Sequence, residues 1–266
     1  MSLAVTILGC GSSGGVPRVA VGWGKCDPAE PRNRRRRCAI LVERIAPSGV
    51  TRVLVDTGPD LRDQLLSAEI TALDGVLITH DHADHTHGID DLRPLVIHMR
   101  RKIEAWSDEA TADVLRSRFG YVFASPPGSD YPPILTDRRL EVGVPVAIEG
   151  AGGVVEALPI DLMHGPTTHA LGFRFDDIAY TPDLNAIPDA SAPALEGLDV
   201  WIVDALRDTP HPTHFSLDEA LEWIERLKPK RAVLTNLHTD LDYATLKRRL
   251  PAKVDVAYDG MRIEAA

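Results

Sequence analysis

Short apolar runs, broken at intervals by Gly, Pro and Asp, set the pattern of this chain. Runs such as Val200-Trp201-Ile202-Val203 have the length and β-branched character of strands rather than helices. The pattern predicts strands at 5–9, 39–43, 52–56, 75–79, 154–159, 172–175, 178–181, 200–204 and 231–235. Helical spacing of apolar positions appears at 60–68, 104–119, 216–227 and 243–250. The third of these is the clearest. Ser216 is placed to cap it, Glu219 completes a capping box, and Leu217, Leu221, Ile224 and Leu227 form one apolar stripe.

Strands outnumber helices, and the helices fall between groups of strands. The pattern predicts an α/β (α+β) protein of layered sheets with outer helices, not a doubly wound parallel sheet. No repeat, low-complexity segment or strong linker divides the chain, so 1–266 is expected to be a single domain. A helical and looped segment is expected as an insertion around 98–138. Within it the Pro-rich stretch from Ser125 to Pro133 is expected as a surface loop, placed to serve as a lid.

The bulk numbers narrow the partners. With 44% hydrophobic and 26% charged residues among 266, the composition is that of an ordinary soluble protein. No apolar run approaches the length of a membrane span, and Met1 to Ile7 lacks the charged start and apolar core of a secretion signal. A cytoplasmic location is expected, with no membrane partner. A net charge of -10 disfavours a broad nucleic-acid surface, which needs many cations. The run from Arg32 to Arg37 is a local exception, either a solvated loop or an anion-binding edge. Cys10, Cys26 and Cys38 form no Cys-x-x-Cys pair, which excludes a thiol redox motif and a cysteine zinc knuckle.

The sharpest signal is Leu77-Ile78-Thr79-His80-Asp81-His82-Ala83-Asp84-His85, an apolar strand that ends in a burst of metal-ligating side chains. Two imidazoles two residues apart can address one ion, and Asp84 and His85 a second. Imidazole and carboxylate ligands suit zinc and other first-row ions. Three later candidates also stand at strand ends: His164, Asp183 and His238.

His-x-His-x-Asp-His after a strand, followed by a later His, Asp and His and preceded by Val55-Asp56-Thr57-Gly58, resembles the metallo-β-lactamase superfamily. The resemblance implies a four-layer αβ/βα sandwich. It also implies that His80, His82 and His164 hold one ion, that Asp84, His85 and His238 hold another, and that Asp183 bridges them. Asp56 would stand behind the ligands and orient them. The absence of a cysteine ligand points to the phosphodiesterase, lactonase and thioesterase-like branches. His82, where di-iron redox members carry Glu, argues against oxidoreductase chemistry.

The opening Leu8-Gly9-Cys10-Gly11-Ser12-Ser13-Gly14-Gly15-Val16-Pro17, the early Arg35-Arg36-Arg37-Cys38 and the closing Tyr258-Asp259-Gly260-Met261-Arg262-Ile263 resemble the phosphoribosyl cyclic phosphate phosphodiesterases. That branch lies near the transfer-RNA 3′-processing nucleases. The resemblance implies a dinuclear hydrolase of a small cyclic or nucleotide-like phosphodiester, with hydroxide attack on phosphorus. His214 would be the general acid, His211 its alternative, and Asp204 the group that orients it. Ser12, Ser13 and Arg36 are the candidate substrate contacts. The ions would be two per chain, zinc or manganese, with iron admissible, and the sequence leaves a homodimer open. A nuclease, or a lactonase or thioesterase on the same metals, is the alternative, and a non-enzymatic metal-binding protein the remote one.

Two departures stand out. The related enzymes carry a cysteine-rich zinc site near the N-terminus, where this chain keeps only Cys26 and matches the late histidine of that site roughly with Thr239. In a gap-free match Asn236, not His238, falls on the last metal histidine; His238 is preferred because asparagine is a poor ligand. His87, His98 and His169 are read as structural or surface residues.

Overall fold

Alternation within the strands builds the layers. In the strand Val200–Asp204, Val200 and Ile202 face one apolar cluster while Trp201 and Val203 face another, so both faces of the strand are covered. A computed structural model describes residues 2–264. Its strands in chain order are β1 (Ser2–Gly9), β2 (Ala39–Ala46), β3 (Gly49–Val55), β4 (Gly75–Leu77), β5 (Ile103–Ser107), β6 (Leu135–Arg139) and β7 (Val146–Ile148). They continue with β8 (Val155–Met163), β9 (His169–Phe175), β10 (Ile178–Thr181), β11 (Val200–Asp204), β12 (Arg231–Thr235), β13 (Val254–Val256) and β14 (Arg262–Glu264). One sheet runs β14-β1-β2-β3-β4-β5-β6 and the other β13-β12-β11-β10-β9-β8-β7.

Leu3, Val5, Ile7, Val53 and Val55 of the first sheet meet Phe173, Phe175, Tyr180, Ile202 and Val233 of the second in a central core. Two further cores lie on the outer faces. Leu54, Val76 and Ala105 pack outward with Leu61, Leu65 and Leu95, from helices α1 (Leu61–Ser67) and α3 (Arg93–Met99). Trp201, Val203 and Leu234 pack outward with Leu217, Ala220, Ile224 and Leu246, from α5 (Leu217–Leu227) and α6 (Tyr243–Arg249). The result is the expected sandwich of helices, two mixed sheets and helices.

The capping box of α5 is complete, with Ser216 Oγ accepting from the Glu219 N–H and the Glu219 carboxylate accepting from the Ser216 N–H. The expected helix 104–119 is corrected at its start. Ile103–Ser107 is β5, paired parallel with β4, and helix α4 begins only at Glu109, where Asp108 accepts from the Thr111 N–H at 2.7 Å. Segment 98–138 therefore contributes two strands, β5 and β6, to the edge of the first sheet.

What matters for function is the shared end of the strands. β3 and β4 run parallel to each other in one sheet, and β10, β11 and β12 run parallel to one another in the other. β8 and β10 both pair antiparallel with β9 and so point the same way. Their C-terminal ends carry Asp56, His80, His164, Asp183, Asp204 and Asn236. At that end Leu237 N–H donates to Cys10 O at 2.8 Å, and Leu171 N–H donates to Thr79 O at 2.8 Å, fastening one sheet to the other.

Candidate metal centre

The ligand segment leaves β4 extended and then coils. His80 and His82 sit on the extended part, and Ala83–Thr86 form one helical turn, α2, that turns His85 back into the interior. The turn is clamped from below by the Val55-Asp56-Thr57-Gly58 segment: Thr57 N–H donates to His85 O at 2.7 Å. A Cβ on Gly58 would lie 2.0 Å from Asp84 O, so only glycine permits this approach. Asp56 takes a left-handed φ of 70°. Its carboxylate, fully buried, accepts from Thr79 N–H at 2.9 Å and from His85 Nδ1 at 2.7 Å. That fixes the ring so that Nε2 faces the cluster.

Three groups of ligand atoms converge, each with its members within 4.8 Å: His80, His82 and His164; His80, His85 and Asp183; and His164, Asp183 and His214. His164 Nε2 lies 3.2 Å from His82 Nδ1. His85 Nε2 lies 3.1 Å from Asp183 Oδ2 and 3.4 Å from Asp84 Oδ2. The Asp183 contact is close but not aligned as a hydrogen bond, and His80 Nε2 and Asp183 Oδ2 are buried without a hydrogen-bond partner. Leaving such an atom unsatisfied costs about 1–3 kcal/mol. A cation shared between them removes that cost, and the imidazole and carboxylate donors are those that divalent first-row ions take. The residues fit a metal centre.

Two of the histidines favour the ligating form, whereas His85, whose charge burial opposes, is held protonated by the carboxylates of Asp183, Asp56 and Asp84. Burial pushes the His80 and His164 imidazoles below their ordinary pKa, toward the neutral, ligating form. Burial works against ionised Asp183, yet His85 beside it holds the carboxyl well below the usual range.

His214 stands beside this cluster on the loop before α5. Its Nδ1 lies 2.8 Å from Asp204 Oδ2 and 3.6 Å from Asp183 Oδ1. Burial disfavours the charged ring, but the Asp204 carboxylate and its hydrogen bond hold the His214 pKa up at about 9. Asp204 itself is pushed by burial up to about 7, with His214 pulling against that rise.

A cleft of about 300 Å³ opens over the cluster, lined by Ser12, Ser13, Arg18, His82, Asp84, His164, Asp183, His211, His214 and His238 among others. Ser12 and Ser13 thus line the metal cleft. Arg36 lines a separate arginine-rich cleft of about 690 Å³, where Nε donates to Asp259 at 3.1 Å and Nη1 to Ser67 Oγ at 3.0 Å. No residue of the Pro-rich stretch Ser125 to Pro133 lines the metal cleft. His238 lines it but stands outside the converging groups. Its Nε2 is 2.8 Å from Arg18 Nη1, and its Nδ1 is 3.2 Å from Asp240 Oδ2. His211 packs against His214 with ring centroids 5.2 Å apart. His87 packs edge-on to Phe119, and His169 pairs with Asp161 on the surface.

Two further residues reach the site: Asn236, set aside above as a poor ligand, and Arg18, which carries no mark in the sequence. Buried Asn236 donates from Nδ2 to Asp183 Oδ1 at 3.2 Å and lies 3.1 Å from His214 Nδ1, linking the Asp183 carboxylate to the histidine beside it. Arg18 follows the glycine turn and enters the cleft from there.

The family model described as a beta-lactamase superfamily domain matches residues 51–236. The chain belongs to the beta-lactamase superfamily. Among solved structures, a diphosphatase of the PhnP family shares 35% identity and superposes with a TM-score of 0.88, covering 100% of this chain and 98% of that one. The short form of human tRNase Z shares the fold at a TM-score of 0.65 and 18% identity, covering 98% of each chain. An octanoyltransferase from Porphyromonas gingivalis is 32% identical over 258 residues, 96% of this chain and 50% of the relative. The chain thus spans about half the length of that curated relative. Within the superfamily the structure lies in the PhnP-like branch.

Proposed function

We propose that this hydrolase cleaves a phosphodiester bond in a small cyclic or nucleotide-like substrate of the phosphoribosyl cyclic phosphate kind. In this reading His80, His82 and His164 would hold one divalent ion and Asp84 and His85 another, with Asp183 available to both and zinc or manganese as the ions. His238 is left out of the set because Arg18 engages its Nε2. The observation that carries the proposal is the pairing of two kinds of histidine on one small polar cleft. Buried ligand atoms without partners lie beside His214, whose Nδ1 is anchored on Asp204.

Bound there, the ions supply Lewis-acid charge and an activated water. The chain's own side chains do the rest. Asp56 and Asp204 fix the rings of His85 and His214 in one tautomer and orientation. A pKa raised to about 9 keeps His214 protonated at neutral pH, so that it carries the proton a departing alkoxide needs. Ser12 and Ser13 offer hydroxyl donors at the cleft wall.

The octanoyltransferase relative favours a second reading, hydrolysis of an acyl ester or thioester. The cleft speaks against it. Leu206 is the one apolar side chain lining it, which leaves an eight-carbon chain nothing to bury against. The test is a metal-replete panel of cyclic and linear phosphodiesters, diphosphates and acyl esters. Turnover of a phosphodiester is expected, and turnover confined to acyl esters would overturn the proposal.

A further inference from the structure

The arginine-rich cleft has no part in the metal chemistry, and it shares no lining residue with the metal cleft. Arg32, Arg34, Arg35, Arg36 and Arg37 line it against Asp60, Asp63 and Asp259, in a chain whose net charge is -10. Guanidinium groups gathered in one cleft repel one another unless counter-charges stand among them. The aspartates supply only part of that. Asp259 accepts from the Arg36 N–H at 2.8 Å and Asp60 from the Arg37 N–H at 2.8 Å, so both pin the backbone of the run. Asp63 meets Arg62, and Arg32 is taken by Glu30. Among the described residues Arg34 and Arg35 pair with no carboxylate. The Arg34 guanidinium makes no hydrogen bond and lies 5.4 Å from the Trp23 ring centroid. Arg37 Nε stands 3.1 Å from Asp60 Oδ2 without the alignment of a hydrogen bond. Arg35 Nε, in a residue 2% exposed, has no partner either. Beside these cations the wall is apolar, with Val16, Pro17, Pro31, Leu66 and Tyr258.

We propose that this cleft is a second ligand site, which binds a nucleoside triphosphate apart from the substrate, with Arg34 and Arg37 on its phosphates. The inference goes beyond the phosphodiesterase reading and does not depend on it. A planar guanidinium matches two phosphate oxygens at once, and a run of them calls for a ligand with several anionic groups. Pro17, Pro31 and Leu66 give the base and sugar a surface to bury against. A volume of about 690 Å³ is that of a small-molecule site. With the backbone of Arg36 and Arg37 already pinned, less freedom is lost when the ligand arrives.

The experiment is a calorimetric titration of the metal-replete protein with magnesium ATP, magnesium tripolyphosphate and citrate. ATP is expected to bind once per chain, tripolyphosphate more weakly for want of a ring, and citrate more weakly still. Arg34 is exposed, so Arg34→Ala should keep its metal content and Tm while weakening ATP about 10- to 100-fold, the worth of charge-assisted hydrogen bonds. Arg37→Gln should weaken it likewise. Leu66, 62% exposed, tests the apolar wall, and Leu66→Ser should bring ATP down toward tripolyphosphate. No ATP binding, or ATP bound equally by wild type and a folded Arg34→Ala, Arg37→Gln double variant, overturns the site. Citrate binding as tightly as ATP overturns the phosphate class, and tripolyphosphate binding as tightly overturns the nucleoside. Displacement of ATP by excess bis-p-nitrophenyl phosphate would put the nucleotide in the metal cleft and overturn a separate site.

Discussion

The protein buries two polar clusters, and they treat charge in opposite ways. Around His80, His85 and His164 the carboxylates of Asp56, Asp84, Asp183 and Asp204 gather, and ligand atoms are left without donors. Around Arg35 the cation is built in. Its guanidinium, 2% exposed, donates to Leu241 O at 2.8 Å, Asn33 Oδ1 at 3.2 Å and His238 O at 3.3 Å. Asn33 in turn donates to Asp242 at 2.7 Å, and Cys26 Sγ lies 3.9 Å from Arg35 Nη1. This second knot occupies the stretch where the related phosphodiesterases were expected to differ, with a cysteine-rich zinc site. Here a guanidinium joins the N-terminal segment to the 238–242 loop. The first cluster leaves ligand atoms open to a cation, while in the second Nη1 and Nη2 of Arg35 are spent on backbone carbonyls and Asn33 and only its Nε has no partner.

The contrast breaks first at the ligands. His80→Ala or Asp183→Ala should lose bound metal and all measurable hydrolysis, read by metal analysis and turnover of the same sample. Next is His214→Ala, which should keep its metal and lose about 10²–10⁴-fold in kcat, the range for a general acid. Arg35→Met should do the reverse. Metal content and kcat stay near wild type, while urea unfolding shows a loss of about 2–4 kcal/mol from carbonyls left without donors. An Arg35→Met protein that lost its metal would erase the distinction between the clusters.

Asp56→Asn tests the join between ligand and support. Weakening the hold on His85 should reduce metal affinity about 10- to 100-fold without unfolding the chain, as a chelator competition would show. The smallest effect belongs to the second cluster. Partial burial opposes the charged form of Asp242, but donors from Thr245, Asn33 and Asp27 hold its pKa down at about 2. A depressed carboxyl contributes stability above its unfolded pKa and loses it as pH falls through the folded value. The Tm advantage of wild type over Asp242→Asn should therefore be full near pH 6 and shrink between about pH 4 and 2.

Much of this was legible in the chain. Strands 178–181, 200–204 and 231–235 were placed to the residue, because strands covered on both faces are continuous apolar runs between polar ends. β5 was missed because Glu104 and Ala105 favour helix locally, and only pairing between β4 and β6 makes them strand. The three-residue strands β7, β13 and β14 are too short for any period to show. At the site, His80 to His85 announce themselves by proximity in sequence, and Asp183, Asp204 and His164 by their place at strand ends. Arg18 has no such mark, and Asn236 stands at the end of β12 but is not a metal-ligating type. Arg18 reaches the site only because the segment after β1 meets the one after β12, where Leu237 N–H donates to Cys10 O and Arg18 touches His238.

The central claim is that the histidine–aspartate cluster binds two ions and turns over phosphodiesters. Titrating metal-stripped protein with zinc or manganese while following bis-p-nitrophenyl phosphate hydrolysis tests it in one measurement. The account predicts no turnover without metal and a rate that climbs and levels at two ions per chain. Turnover in the stripped protein, or none at any metal level, would contradict it.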